Sequence, residues 1–131
     1  MKNRVNPELV QGLDMFQDLD IRPENLPAIR EGAAQMRQPT VVDESLSLTD
    51  EIIVGPDSTP LPLRIYRQNS STETLPVLLW IHGGGYILGS IDDNDDLCMR
   101  FAKEANCVVV SVEYRLAPEH PYPAPIEDCY A

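Results

Sequence analysis

The sequence predicts an α/β fold on a mixed sheet, with an antiparallel hairpin first and a parallel βαβ unit after it. Three observations predict it. Two continuous apolar runs, residues 76–81 and 107–112, have the length and composition of strands buried on both faces. The segment between them has a helical period, which makes the pair a right-handed crossover in a parallel sheet. Ahead of them, two stretches alternate apolar and polar side chains around Gly55-Pro56-Asp57-Ser58-Thr59-Pro60, the pattern of a hairpin with one wet face.

The elements follow in order. Asn6 can cap a first helix with Pro7 in its first turn, and Leu9, Val10, Leu13 and Phe16 fall on one face. A second helix starts near Pro23. Leu26, Ile29, Ala33 and Met36 recur at helical spacing and stop before Pro39. Two amphipathic helices ahead of any strand must rest their apolar faces on the domain below, as a lid, or on a partner chain. The faces built on Leu9, Leu13 and Phe16 are read as packing surfaces, not as a membrane-binding face. Leu46 and Leu48 then alternate with polar residues, Ile52-Ile53-Val54 follow, and Leu61, Leu63 and Ile65 alternate with Pro62, Arg64 and Tyr66. Residues 68–74 form a polar loop. Residues 77–81 read as a buried central strand. Asp92, Asp93 or Asn94 can cap a helix running to about Ala105, with Leu97, Phe101 and Ala105 marking its buried face. After the strand at 107–112 comes a proline-rich loop, and residues 125–131 look like the first turns of a further helix.

Length, charge and cysteines bound the function. A chain of 131 residues supports one modest core. Ten basic against 21 acidic side chains give a net charge of −11, which excludes nucleic acid and anionic membrane surfaces as partners. Lys2 and Arg4 are followed by no apolar stretch, and Asp14, Asp18 and Asp20 arrive too soon for a signal peptide. No apolar run approaches spanning length, so no stable membrane insertion is expected and the expected compartment is the cytoplasm. Cys98, Cys107 and Cys129 are odd in number and lack CxxC spacing. Cys98 and Cys107 read as buried thiols, and neither a disulfide framework nor a zinc site is expected.

The chemistry concentrates in His82-Gly83-Gly84-Gly85-Tyr86, where the most apolar strand empties into three glycines. Strand ends of this kind are where α/β sheets present their sites. Without Cβ atoms the backbone can turn sharply and approach a ligand closely. Two or three amides aimed at one point stabilise developing negative charge, the principle of an oxyanion hole in acyl transfer. The attacking group for such a reaction is not evident. Ser45, Ser47, Ser58, Ser70, Ser71, Ser90 and Ser111 are the serines, and none sits in Gly-x-Ser-x-Gly. A phosphate cradle is a poor alternative, because neither Gly-x-x-x-x-Gly-Lys nor dinucleotide-binding spacing is present. His120, held between prolines, reads as a loop residue. Asp92, Asp93, Asn94, Asp95 and Asp96 could suggest calcium. They lack the glycine and distal glutamate of a calcium loop, so helix capping and dipole complementarity are preferred. Asp128 reads as a surface acid or one standing behind the site.

Two motifs then coincide. His82-Gly83-Gly84-Gly85-Tyr86 is followed by Gly89 and Asp92. Tyr114-Arg115-Leu116-Ala117-Pro118-Glu119-His120-Pro121-Tyr122-Pro123-Ala124 has Glu127-Asp128 behind it. Together, with a strand, helix and strand between, they resemble the hormone-sensitive-lipase-like branch of the α/β-hydrolases, the bacterial esterase/lipase group. The resemblance runs clearly from Leu61 to Ala131. It implies the N-terminal portion of an α/β-hydrolase: residues 1–43 as a helical cap segment, and 44–131 as the first part of the core, ending before the nucleophile elbow. It implies that the Gly83 and Gly84 amides form the oxyanion hole, with a third donor following the nucleophile. Gly85 keeps the loop tight, His82 braces it, and Tyr86 lines the acyl or alcohol pocket. Arg115 and Glu119 make structural ion pairs beneath the site. The elbow strand would be the other neighbour of the 77–81 strand. Nucleophile, acid and base are expected outside this chain, and neither His82 nor His120 replaces the base. The activity implied is serine ester hydrolysis through an acyl-enzyme, on small uncharged carboxylic esters, with no cofactor and no metal. The chain alone is expected to be inactive and prone to oligomerise. The alternative is a non-catalytic small-molecule receptor on the same fold, resembling the plant gibberellin receptors.

Overall fold

A computed structural model describes residues 20–131, with Val5, Asn6, Glu8 and Leu9 ahead of them. Asn6 caps as expected, its Oδ1 accepting from the Glu8 N–H at 3.1 Å. The rest of the first predicted helix, with Pro7, Val10, Leu13 and Phe16, lies outside the described residues.

The elements that position the site are helix α1 (Leu26–Met36), strands β1 (Leu46–Val54), β2 (Pro60–Gln68) and β3 (Val77–Ile81), helix α2 (Asp95–Glu104), strand β4 (Val108–Val112) and helix α3 (Ala124–Tyr130). The strands form one sheet in the order β1-β2-β4-β3. β1 and β2 pair antiparallel from Leu46↔Gln68 to Val54↔Pro60, and β2 pairs antiparallel with β4. β3 and β4 pair parallel from Val77↔Val108 to Ile81↔Val112, so the mixed sheet and the βαβ unit are both present. The predicted turn at 55–60 closes the hairpin, with the Gly55 N–H donating to the Thr59 carbonyl at 2.7 Å. Asp57 and Ser58 both take positive φ there.

The main core lies between the sheet and α2: Leu46, Tyr66, Val109, Cys98, Met99, Ala102 and Cys107, with Leu78, Trp80 and Phe101 at its margin. A smaller cluster of Leu61, Val112 and Tyr114, flanked by Leu116 and by Cys129 of α3, holds the opposite face near the site.

Four expectations need correction. First, β3 is not buried on both faces among the described residues, although its place in the sheet is the one implied by an elbow strand outside this chain. It is the sheet edge, and Val77, Leu79 and Ile81 are 67, 49 and 49% exposed because no described element covers that face of it. An apolar edge of this kind invites pairing with another chain. The isolated chain should therefore self-associate, and Leu79→Lys should lower the mass seen by light scattering after size exclusion. A wild-type monomer would contradict this.

Second, the buried face of α2 is Asp95, Cys98, Met99 and Ala102, while Ala105 is exposed. Asp95 is pulled inward by Arg64 and Tyr66, and this rotates the helix relative to the apolar count. Third, the side-chain cap lies one turn earlier than expected. Ser90 Oγ accepts from the Asp92 N–H, and Asp93 Oδ2 accepts from the Ser90 N–H, a capping box that starts the 3₁₀ turn Ile91–Asn94. Asn94 holds the N-cap position of α2 as expected, but its Oδ1 accepts from Trp80 Nε1 at 3.2 Å and makes no bond to the helix. Fourth, α1 does not bury the whole predicted stripe. Leu26 is buried, but Ala33 and Met36 are exposed, and arginines do much of the docking.

Candidate active site

The site is built at the C-terminal end of β3. The strand ends at Ile81, and His82 turns inward to become almost fully buried. Its ring stacks on Tyr114 with centroids 4.1 Å apart and planes 11° from parallel. The Tyr114 hydroxyl donates to the His82 carbonyl at 2.7 Å. Burial foremost pushes the Tyr114 phenol up to about 12, so it stays a donor at neutral pH. His82 Nδ1 lies 2.9 Å from the Gly83 carbonyl. A carbonyl can only accept, so Nδ1 carries the hydrogen. Nε2 is buried without a partner among the described residues. This histidine is a brace: its ring is stacked, its donor is used and its other nitrogen does not reach solvent.

The glycines that follow adopt a conformation other residues resist. Gly84 has φ +130°, Gly85 +61° and Gly89 +94°. A Cβ on Gly84 would run into the Leu88 carbonyl, and one on Gly89 into the Gly83 carbonyl and the His82 ring. The Gly84 carbonyl accepts from the N–H groups of both Ile87 and Leu88, at 3.2 and 3.0 Å, closing a tight turn. Tyr86 is itself at φ +64°. Neither the Gly83 nor the Gly84 N–H donates to a protein acceptor among the described residues, and both residues are exposed. Two free amides therefore stand at the end of a parallel strand, an arrangement able to receive an oxyanion.

The second motif is bonded directly to the first. The Ala117 N–H donates to the Tyr86 carbonyl at 2.9 Å. Arg115 and Glu119 are both ion-paired, each with a different partner. Arg115 meets Asp128 in a fork of bonds between 2.8 and 3.1 Å. Glu119 meets Arg30 of α1 at 2.9 Å. Asp128 is no surface acid: it is 2% exposed, and it also accepts the Arg115 backbone N–H. Burial works against its charge, but the bonds from Arg115 outweigh it and hold the carboxyl below its ordinary value. The hydrogen bond from Arg64 likewise holds Asp50 low. Groups lowered in the folded state stabilise it above the unfolded carboxylate value of about 3.9, and that contribution is lost as pH falls through the folded values. Unfolding followed by Trp80 fluorescence should steepen below about pH 4. Asp128→Asn should flatten that acid limb.

Asp92, Asp93 and Asp95 are engaged by arginines and by the cap, while Asp96 is exposed. Arg37 bonds to Asp92 and Asp93, and Arg64 to Asp50, Asp92 and Asp95. They line a polar cleft of about 320 Å³ with Arg37, Gln38, Pro39 and Thr40, which no residue of the glycine loop reaches. An apolar cleft of about 260 Å³ does adjoin the loop, lined by Tyr86, Ala117, Tyr122, Pro125 and Ile126. His120 is exposed in the proline loop. Cys98 is buried, and burial foremost pushes its thiol up to about 11, which makes it inert. The sequence reading missed the contributions of Tyr114 and Arg30. The adjacency of Tyr114 to Arg115 gave a signal for the former; a lone arginine on a surface helix gave none for the latter.

Comparison with known proteins bears on the fold that carries this site. A family profile described as alpha/beta hydrolase fold matches residues 78–131. Esterase LipI of Mycobacterium tuberculosis is 39% identical over 133 aligned positions, covering 99% of this chain and 41% of that protein. Carboxylesterase NlhH of the same species is 35% identical over 127 positions, covering 97% of this chain and 40% of that protein. Among solved structures, a bacterial heroin esterase superposes with a TM-score of 0.78 at 34% identity, over 96% of this chain and 40% of that one. The chain has the opening part of the α/β-hydrolase fold and is similar to esterases of that fold. It spans about two-fifths of the length of the relatives it matches.

Proposed function

We propose that this chain is the oxyanion-hole portion of a serine carboxylic-ester hydrolase of the hormone-sensitive-lipase-like branch. The observation that carries the reading is that Gly83 and Gly84 are exposed and their N–H groups have no acceptor among the described residues, at the end of β3 in a turn that a Cβ on Gly84 would obstruct. The names of the relatives, esterase and carboxylesterase, support the same chemistry. In the reaction, a serine outside this chain attacks the ester carbonyl. The carbonyl carbon becomes tetrahedral and its oxygen takes the negative charge. Gly83 and Gly84 donate to that oxygen, and each such donor contributes about 3 kcal/mol to lowering the barrier. Collapse expels the alcohol and leaves an acyl-enzyme, which water then hydrolyses.

His82 and Gly85 fix the loop, and Tyr86 walls the apolar cleft that takes one side of an uncharged ester. Residues 1–43 serve as a cap segment and 44–131 as the opening part of the core. The free edge of β3 suits a homo-oligomer when the chain is alone. Among the described residues no helix is long and apolar enough to cross a membrane. We place the protein in the cytoplasm, acting on a small ester without a cofactor or metal.

The test is a chimera in which this chain replaces the aligned segment of esterase LipI. It should hydrolyse a short p-nitrophenyl ester and take up a serine-reactive phosphonate, while the 131-residue chain alone does neither. A folded chimera that binds ester without turnover would overturn the reading in favour of a receptor.

A further inference from the structure

We propose that Arg30 is a positioning residue for the glycine loop; this rests on the oxyanion reading of that loop. Arg30 lies on α1, far in sequence from the site, yet its guanidinium reaches both motifs at once. Nε donates to the Ile87 carbonyl at 2.9 Å, and Nη2 donates to the Ala117 carbonyl at 2.7 Å. Nη1 and Nη2 also fork onto the Glu119 carboxylate at 2.9 and 3.1 Å. Four of the five guanidinium donors are thus engaged.

The two carbonyls are the informative partners. Ile87 gives its N–H to Gly84 and its carbonyl to Arg30. Ala117 gives its N–H to Tyr86 and its carbonyl to Arg30. The bonds close a ring that runs from Gly84 through Ile87, Arg30 and Ala117 to Tyr86, and covalently back to Gly84. The turn that aims the oxyanion amides is therefore fixed from outside as well as from within. A planar fork suits two carbonyls at set angles, which a single ammonium cannot match. The Arg30 side chain is mostly shielded while that of Glu119 is half exposed, so the carbonyl bonds carry the positioning and the ion pair adds little.

Hydrogen–deuterium exchange of the chain, read by mass spectrometry, tests this. The reporters are the Ile87, Leu88 and Ala117 amides, which donate within the ring. Arg30→Gln should raise their exchange about tenfold and leave the hairpin at 46–68 unchanged. Arg30→Lys, which keeps the charge and the helix, should raise it by about threefold, and Glu119→Gln should stay close to wild type. Unchanged exchange at 84–88 and 117 in Arg30→Gln, or wild-type exchange in Arg30→Lys, overturns the proposal. So does an equal rise at 46–68, which would mark a general loss of stability. This readout needs no turnover, so its failure is separate from a failure of the chimera.

Discussion

Gly84→Ala should abolish the loop that the site depends on, while Gly85→Ala should leave it recognisable. Both glycines have positive φ, but their surroundings differ. Gly85 at +61° is in the left-handed helical region, where alanine costs about 1–2 kcal/mol, and its side chain would meet nothing within 4 Å. Gly84 at +130° lies outside the region any L-residue with a Cβ favours, and that Cβ would collide with the Leu88 carbonyl. The collision is with backbone, so it cannot be relieved by a rotamer change. The turn must open, and with it go the bonds from Ile87 and Leu88 to Gly84. In the chimera, kcat should fall by about 10²–10³ for Gly84→Ala, as for removal of an oxyanion donor, and by roughly tenfold for Gly85→Ala. Circular dichroism and the unfolding midpoint should change little, because the loop lies at the edge of the core. Equal kcat for the two variants would mean that the turn at Gly84 does not set the amides.

Asp95→Ala should give the largest loss of stability. Asp95 is 5% exposed and sits at the start of α2 with three partners. Arg64 donates to it at 3.1 and 3.2 Å, the Tyr66 hydroxyl at 2.5 Å, and the Thr40 hydroxyl bonds to its other oxygen. Burial foremost, together with the bond to Asp95, holds the Tyr66 phenol far above its ordinary value, so it remains a donor. Removing the carboxylate strands a buried hydroxyl and leaves Arg64 with only Asp50 and Asp92. Breaking such a pair costs about 3 kcal/mol. Urea unfolding followed by Trp80 fluorescence should show it as a lower midpoint with an unchanged slope. The exposed pair Arg100–Glu104 provides the contrast: Arg100→Ala should stay within about 0.5 kcal/mol. Because Thr40 precedes β1 and Arg37 bonds to Asp92 and Asp93, loss of Asp95 should also loosen the segment joining α1 to the sheet.

The strands were legible because their signal is local. Alternation in 46–54 and 60–68 and the unbroken runs at 77–81 and 108–112 fix which segments are strands and which pair first. The glycine loop was legible because its demand is stereochemical: at 84 and 89 the backbone takes a φ that only glycine favours and a Cβ would collide with backbone. The rest was set by tertiary bonds that periodicity does not encode. An apolar count centred the buried face of α2 on Leu97, Phe101 and Ala105, but a charged residue, Asp95, decides the rotation. Capping chemistry gave several acids as candidates and passed over Ser90, although Ser90 and Asp93 have capping-box spacing. Asp128 reads as a surface acid or one standing behind the site, and only the Arg115 side chain folded back onto it decides for the buried alternative. The stripe on α1 suggested apolar docking, while Arg30 and Arg37 make the specific contacts.

The unsatisfied margin of β3 also has a directional meaning. Its ladder with β4 runs parallel, so a strand laid alongside the vacant side in the same sense would advance toward Gly83 as it ended. Neighbouring strands lie about 4.8 Å apart. Whatever side chain stands on the bend after such a strand is thereby delivered within one lattice spacing of the glycine amides, and the sheet's own metre fixes that separation before any catalytic group is chosen.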